Sequence, residues 1–262
     1  PLAAIFGADL SARVTGVDRS ESRLDELRSL AEFRGIELAA DAATLAEADV
    51  IFVAVRVESR EGATDLAAAN AALSSIREHA RIAPLILFES TVPPGTTRAL
   101  ANRIFGADSL QAALMAHCPE RLRVGDDLDS IRATPRLIGG LSEIATTLGA
   151  AFLRQLGIKP VCVSSPEATE LSKLLENSFL TTRTALMRRV TPIPHPLAIN
   201  AQDVPLSTSW RFRTEAVDTR GYLSVGQLGA SRCRGLLRCA SRTGRPVALF
   251  DSNSPAAATL RI

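Results

Sequence analysis

Short apolar runs alternate with stretches of helical spacing through the first 165 residues, and that alternation predicts the architecture. Asp49-Val50-Ile51-Phe52-Val53-Ala54-Val55 is continuously apolar after its first residue, and Leu85-Ile86-Leu87-Phe88 is another such run. Uninterrupted runs of strand length mark strands buried on both faces, the habit of parallel sheets. Further strands are predicted at 13–18, 112–117, 136–138 and 161–163. Residues 20–34, 65–80, 96–104 and 142–156 carry helical spacing, with Ser20 placed to cap the first of these helices. Pro166 opens another helix, expected to reach at least Phe179. Regular alternation of this kind predicts an α/β domain around a mostly parallel sheet over 1–165, with 166–179 as the start of a connecting helix.

After Phe179 the periodicity fades. Pro192, Pro194, Pro196 and Pro205 interrupt any helix, and Val247-Ala248-Leu249-Phe250 is the single later run of strand length. Residues 180–262 are expected to lack a packed core, either as a shifted reading frame or as a divergent extension. Charge sharpens this division. The net charge of +2 hides a body, 1–179, with 18 Lys and Arg against 24 acids, and a tail with 12 Arg, no Lys and four acids. Nucleic acid is not the expected partner for that tail, because its arginines are neither clustered nor interleaved with stacking aromatics. Cys118, Cys162, Cys233 and Cys239 fit no zinc spacing and no disulfide framework, so reduced thiols and a cytoplasmic setting are expected, with no metal. No apolar run reaches the roughly 18 residues of a membrane span.

The candidate chemistry sits where predicted strands end. Asp18 closes a strand at the place where a Rossmann unit puts the acid that hydrogen-bonds an adenosine ribose. A glycine-rich phosphate loop belongs some 20 residues earlier, and the chain starts too late to carry it, so the doubly wound sheet is expected to be truncated at its N-terminus. Gly7 is a lone glycine in the helix that would follow. Glu89-Ser90-Thr91 ends a buried strand, facing the crevice where such sheets bind ligands. Pro93-Pro94-Gly95 then turns the chain, and Thr96 or Thr97 is placed to cap the next helix. His117-Cys118-Pro119-Glu120 ends another strand, with Glu120 suited to act as a general base or to hold a water. Cys118 reads as a small buried residue and His117 as a packed, hydrogen-bonded one, while Arg121 and Arg123 are suited to an anionic group. Lys173 and Asn177 lie four apart on one helix, so an amine and an amide share a face and can donate to a developing oxyanion. For each of these residues a plain role as cap, core or solvated surface stands beside the chemical one.

In this order the motifs resemble the UDP-sugar 6-dehydrogenases, a family of nucleotide sugar dehydrogenases. The resemblance covers about residues 1–179 and rests on Gly16-Val17-Asp18, Glu89 to Thr97, Cys118 to Arg121, Pro135-Arg136-Leu137-Ile138-Gly139-Gly140 and Glu170 to Phe179. It implies oxidation of the C6 hydroxyl of a UDP-sugar to a carboxylate with NAD, through a thioester on a cysteine, in a homodimer. It implies cofactor contacts at Asp18, Arg19, Ala54, Val55, Ser90, Thr91 and Glu120. It implies substrate contacts at Glu120, Arg121, Leu122, Arg123, Lys173 and Asn177. Thr91 would position a water, Glu120 would be the base for thioester hydrolysis, and Lys173 and Asn177 would stabilise the oxyanion. Cys118-Pro119-Glu120-Arg121 is closer to the branch acting on UDP-N-acetylhexosamines such as UDP-N-acetylmannosamine than to the UDP-glucose branch, which usually has a second glutamate where this chain has Val124. The family's cysteine, in a glycine-rich setting far downstream, has no match, and the long helix is expected to break off past Phe179. The chain therefore reads as an N-terminal fragment that does not complete the oxidation. The alternatives are a non-catalytic nucleotide-binding domain and the UDP-glucose 6-dehydrogenase branch.

Overall fold

The computed structural model describes residues 13–30, 33, 35–60, 63–121 and 128–190. In chain order the described elements are β1 (Thr15–Val17), α1 (Glu21–Arg28), β2 (Glu37–Ala39), a 3₁₀ turn (Ala42–Glu47), β3 (Val50–Val53), β4 (Glu58–Arg60), β5 (Ala63–Asp65) and α2 (Ala67–His79). They continue with β6 (Leu85–Phe88), α3 (Thr96–Phe105), α4 (Leu110–Ala113), β7 (Met115–His117), α5 (Leu128–Ala133), β8 (Arg136–Gly140), α6 (Glu143–Gln155), β9 (Pro160–Cys162) and α7 (Pro166–Val190). The chain forms two compact units, one comprising 1–57 and 65–170, the other 58–64 and 171–262.

In the first unit the central sheet runs β3-β6-β7-β8-β9. Val50 lies opposite Leu85, and Ile86 opposite Met115, in parallel pairs. β8 is the exception. It runs antiparallel to β7, with Ala116 opposite Gly140 and His117 opposite Gly139, and then pairs in parallel with β9. β1 and β2 form a separate parallel pair, Thr15 opposite Glu37.

The uninterrupted apolar runs divide between two faces, as successive side chains of a strand must. Leu85 and Leu87 share one core cluster with Ala145, Ala150 and Leu153 of α6. Ile86 and Phe88 share the other with Leu73 and Ile76 of α2 and Leu100 and Ile104 of α3. Helices therefore cover both faces of the sheet, and all four β6 residues are buried. Each such side chain contributes about 1.5–3 kcal/mol of transfer free energy. The fold is the expected Rossmann-like, doubly wound α/β arrangement. In the second unit the described residues are the β4–β5 pair and the continuation of α7.

Several expectations are corrected. The strand predicted over 112–117 is shorter, because Leu110–Ala113 forms a turn of helix capped by Ser109, whose hydroxyl accepts from Ala112 N. The helix predicted over 20–34 ends at Arg28. Asp65 does not start the next helix. It closes β5 and accepts from the Ala67 amide at 2.9 Å. β2, β4, β5 and α5 were not foreseen, being three to six residues long and too short for a period to register. α7 does not break off at Phe179 but continues to Val190. The tail from 191 onward, including Cys233 and Cys239, lies outside the described residues, as do Gly7, Leu122 and Arg123. Among the described residues no helix is long and apolar enough to cross a membrane.

Candidate functional site

Because β3, β6 and β7 are parallel neighbours, the residues that follow them emerge at one edge of the sheet. Those residues are Ala54-Val55, Glu89-Ser90-Thr91 and Cys118-Pro119-Glu120. The first two segments are joined directly, since the Ser90 hydroxyl donates to the Val55 carbonyl at 2.6 Å. Buried His117 joins the second segment to α7. Its Nε2 donates to the Ser90 carbonyl at 3.1 Å, and its Nδ1 lies 2.7 Å from Thr169 Oγ1. Thr91 and Glu120 are half-buried, as a residue meeting both protein and ligand would be.

Beneath this edge lies an ion pair. Arg136 Nη2 donates to Glu89 Oε1 at 2.6 Å, and both side chains are about 3% and 2% exposed. The same nitrogen reaches the Cys118 carbonyl at 3.3 Å. Burial pushes the Glu89 carboxyl up to about 7, although Arg136 beside it pulls the other way. Burial also pushes the Cys118 thiol up to about 12, so it stays protonated near neutrality and is no nucleophile as placed. Antiparallel β8 is the reason Arg136 is here at all. Its first residue comes to the edge where the parallel strands end.

The turn that follows β6 is held differently. Gly95, at φ 87°, stands at the N-cap of α3 and offers no side chain, in a backbone region that suits glycine. Thr96 and Thr97 do not cap the helix as expected. Thr96 Oγ1 donates to the Pro93 carbonyl at 2.6 Å, and Thr97 Oγ1 donates to Glu170 Oε1 at 2.6 Å. The acceptor for the helix start is Glu170 itself, which takes the Gly95 amide at 2.6 Å and the Thr97 amide at 2.7 Å. Those are orphan N–H groups of the first turn, satisfied from α7 instead of locally. Burial pushes Glu170 up to about 7 against these three hydrogen bonds. Gly139 helps to bring α7 close, since a Cβ there would lie 2.2 Å from the Ser165 carbonyl oxygen.

The remaining candidates are spread more widely. Asp18 follows β1 and accepts the Ser20 amide at 2.9 Å, Ser20 caps α1 as expected, and both Asp18 and Arg19 are exposed. Arg121 does not simply reach outward. Its Nη1 donates to the Pro135 carbonyl at 3.0 Å. In the second unit, Lys173 Nζ lies 3.8 Å from Glu176 Oε2. Asn177 is 8% exposed, and its Nδ2 is buried without a hydrogen-bond partner among the described residues. A sealed amide donor with nothing to donate to is rare in native structures and calls for an explanation.

Sequence reasoning assigned no role to Glu89, Arg136 or Glu170. All three stand inside segments that carry the resemblance. A charged residue in an otherwise apolar strand end, such as Arg136 before Leu137-Ile138, is the signal that was available.

Comparison with known proteins now adds to the geometry. The sequence pattern described as "UDP-glucose/GDP-mannose dehydrogenase family, NAD binding domain" matches residues 1–156. A UDP-N-acetyl-D-mannosamine dehydrogenase of Pyrococcus horikoshii is 26% identical over 186 residues, covering 70% of this chain and 44% of that protein. One from Methanocaldococcus jannaschii is 28% identical over 207 residues, covering 71% of this chain and 47% of that protein. The chain thus spans about half the length of these curated relatives. Among solved structures, a UDP-glucose dehydrogenase from Pyrobaculum islandicum superposes with a TM-score of 0.73 at 23% identity, covering 93% of this chain and 61% of that one. With its match over more than half its length, its doubly wound fold and its polar strand ends, this chain belongs to the UDP-glucose/GDP-mannose dehydrogenase family and carries that family's NAD-binding domain.

Proposed function

We propose that this chain supplies the cofactor side and part of the catalytic set for NAD-dependent oxidation of the C6 hydroxyl of a UDP-sugar, with a UDP-N-acetylhexosamine as the preferred substrate. The relatives named for UDP-N-acetyl-D-mannosamine support that choice, as does Val124 at the position where the UDP-glucose branch carries a glutamate. The observation that carries the reading is Asn177 Nδ2, buried without a partner among the described residues and one helical turn from Lys173. An amide donor kept dry without an acceptor is suited to an oxygen that gains negative charge only during reaction.

The residues present fit NAD in part. The Asp18 carboxylate engages one amide through Oδ1, leaving Oδ2 to accept from a ribose hydroxyl. Ala54, Val55, Ser90 and Thr91 would line the nicotinamide side, with Ser90 fixed by its bond to Val55. When bound, NAD accepts the hydride. Thr91 orients a water, Glu120 takes its proton, Lys173 and Asn177 donate to the oxyanion, and Arg121 with Leu122 and Arg123 borders the sugar nucleotide. A second copy of the chain is the proposed partner, as in the family's homodimers.

The test is binding of NAD and of UDP-N-acetylmannosamine to this chain, followed by calorimetry, and NADH formation once the chain is joined to the downstream half of a relative that carries the cysteine. In that joined enzyme Glu120→Gln is expected to lower kcat by about 10²–10⁴-fold, and Asn177→Ala by about 10²–10³-fold. Failure to bind either ligand overturns the reading. Binding of both without NADH favours a nucleotide-binding module, a second reading consistent with the protonated, buried Cys118.

A further inference from the structure

The segment that carries Glu120 is fastened on both sides by two arginines that point in opposite directions along the chain. On the near side, Arg136 donates to the carbonyl of Cys118. On the far side, Arg121 donates to the carbonyl of Pro135. Each arginine thus reaches the backbone beside the other's neighbourhood, and Pro119-Glu120 is enclosed between the two bonds. The sheet register points the same way. With His117 opposite Gly139 in an antiparallel pair, continuing the register by three residues sets Glu120 opposite Arg136.

Arg136 is a poor choice if its task were stability alone. Among the described residues its Nε and Nη1 are buried with no hydrogen-bond partner, and its Nη2 makes the bonds. A buried ion pair of this kind is weak grounds for stability, and an apolar pair of similar volume would often serve better. What an apolar pair cannot do is hold a carbonyl two residues from a half-buried carboxylate. Glu89 neutralises the guanidinium and anchors it to the end of β6, so the clasp is tied to the strand that leads to Ser90 and Thr91.

We infer that Arg136 and Arg121 are positioning residues for Glu120, forming a crossed clasp that fixes the candidate base at the sheet edge. This rests on the reading of Glu120 as the base, but its test does not. The ¹⁵N relaxation of the full 262-residue chain, without cofactor or substrate, gives the order parameter of each amide. In the parent chain Glu120 is expected near the rigid value of about 0.85, and in Arg121→Met below about 0.6. Leu87 and Ala116 should keep their values, and Arg121→Lys, which retains a donor, should restore Glu120. Arg136→Lys, which keeps the charge but not the guanidinium's reach, should loosen Glu120 as Arg121→Met does. A rigid Glu120 in both Arg121→Met and Arg136→Lys overturns the clasp. Loss of order throughout β6 and β7 also overturns it, in favour of a plain core role. If Glu120 loosens as expected while Glu120→Gln leaves turnover untouched, the clasp stands and the assignment of the base falls.

Discussion

Two buried glutamates hold two neighbouring turns of this chain, and they do it with different partners. Glu89, at the end of β6, faces a guanidinium. Glu170, near the start of α7, faces two backbone amides and a hydroxyl. Burial raises both carboxyls to about 7. The first turn is secured by a carboxyl facing a guanidinium, an ion pair that weakens as Glu89 takes up a proton below about 7. The second is secured by dipoles that tolerate either protonation state. Charge gives reach and direction across three strand ends, while dipoles give a local cap that a neighbouring helix can supply.

The strongest way to break the comparison is at the charged turn. Arg136→Met leaves Glu89 sealed without its counter-charge and is expected to cost about 3–5 kcal/mol in urea unfolding. A loss of under 1 kcal/mol would mean that the two turns are held alike. At the dipolar turn, Glu170→Ala leaves the Gly95 and Thr97 donors without an acceptor, for an expected loss of about 3 kcal/mol. Glu170→Gln keeps an acceptor and should lose about 1 kcal/mol.

Titration sharpens the contrast further. Between about pH 4.5 and 7 the folded chain keeps a proton on Glu170 that the unfolded chain has released. Stability from this group thus falls as pH rises through that window and levels off above it. The slope is at most about 1.4 kcal/mol per pH unit. In Glu170→Gln the fall should be shallower, and an unchanged slope would exclude Glu170 as its source. The smallest effect belongs to Arg98→Ala. Its pair with Glu167, Nε to Oε1 at 2.7 Å, is largely exposed and should contribute less than about 1 kcal/mol.

The sheet was legible because Val50–Val53 and Leu85–Phe88 are apolar without interruption and of strand length, rich in β-branched and aromatic residues. The polar strand ends at Ser90, Thr91 and Glu120 were legible for the same reason, since they stand where the runs stop. Arg136, Glu170 and the failed caps at Thr96 and Thr97 were not. Thr96 turns back to Pro93, three positions away, but Arg136–Glu89, Thr97–Glu170 and Gly95–Glu170 join residues 47, 73 and 75 positions apart. Local spacing carries no record of a bond over that distance. A hydroxyl before a helix looks like a cap until a distant carboxylate takes its place.

α5, on the connection from β7 to β8, sends Ile131 into the cluster of Leu87, Ala116 and Ile138, while the Arg121 guanidinium meets the Pro135 carbonyl. The connection is thus moored twice, once by an apolar side chain and once by a hydrogen bond. A lineage that lost one mooring would still hold the other.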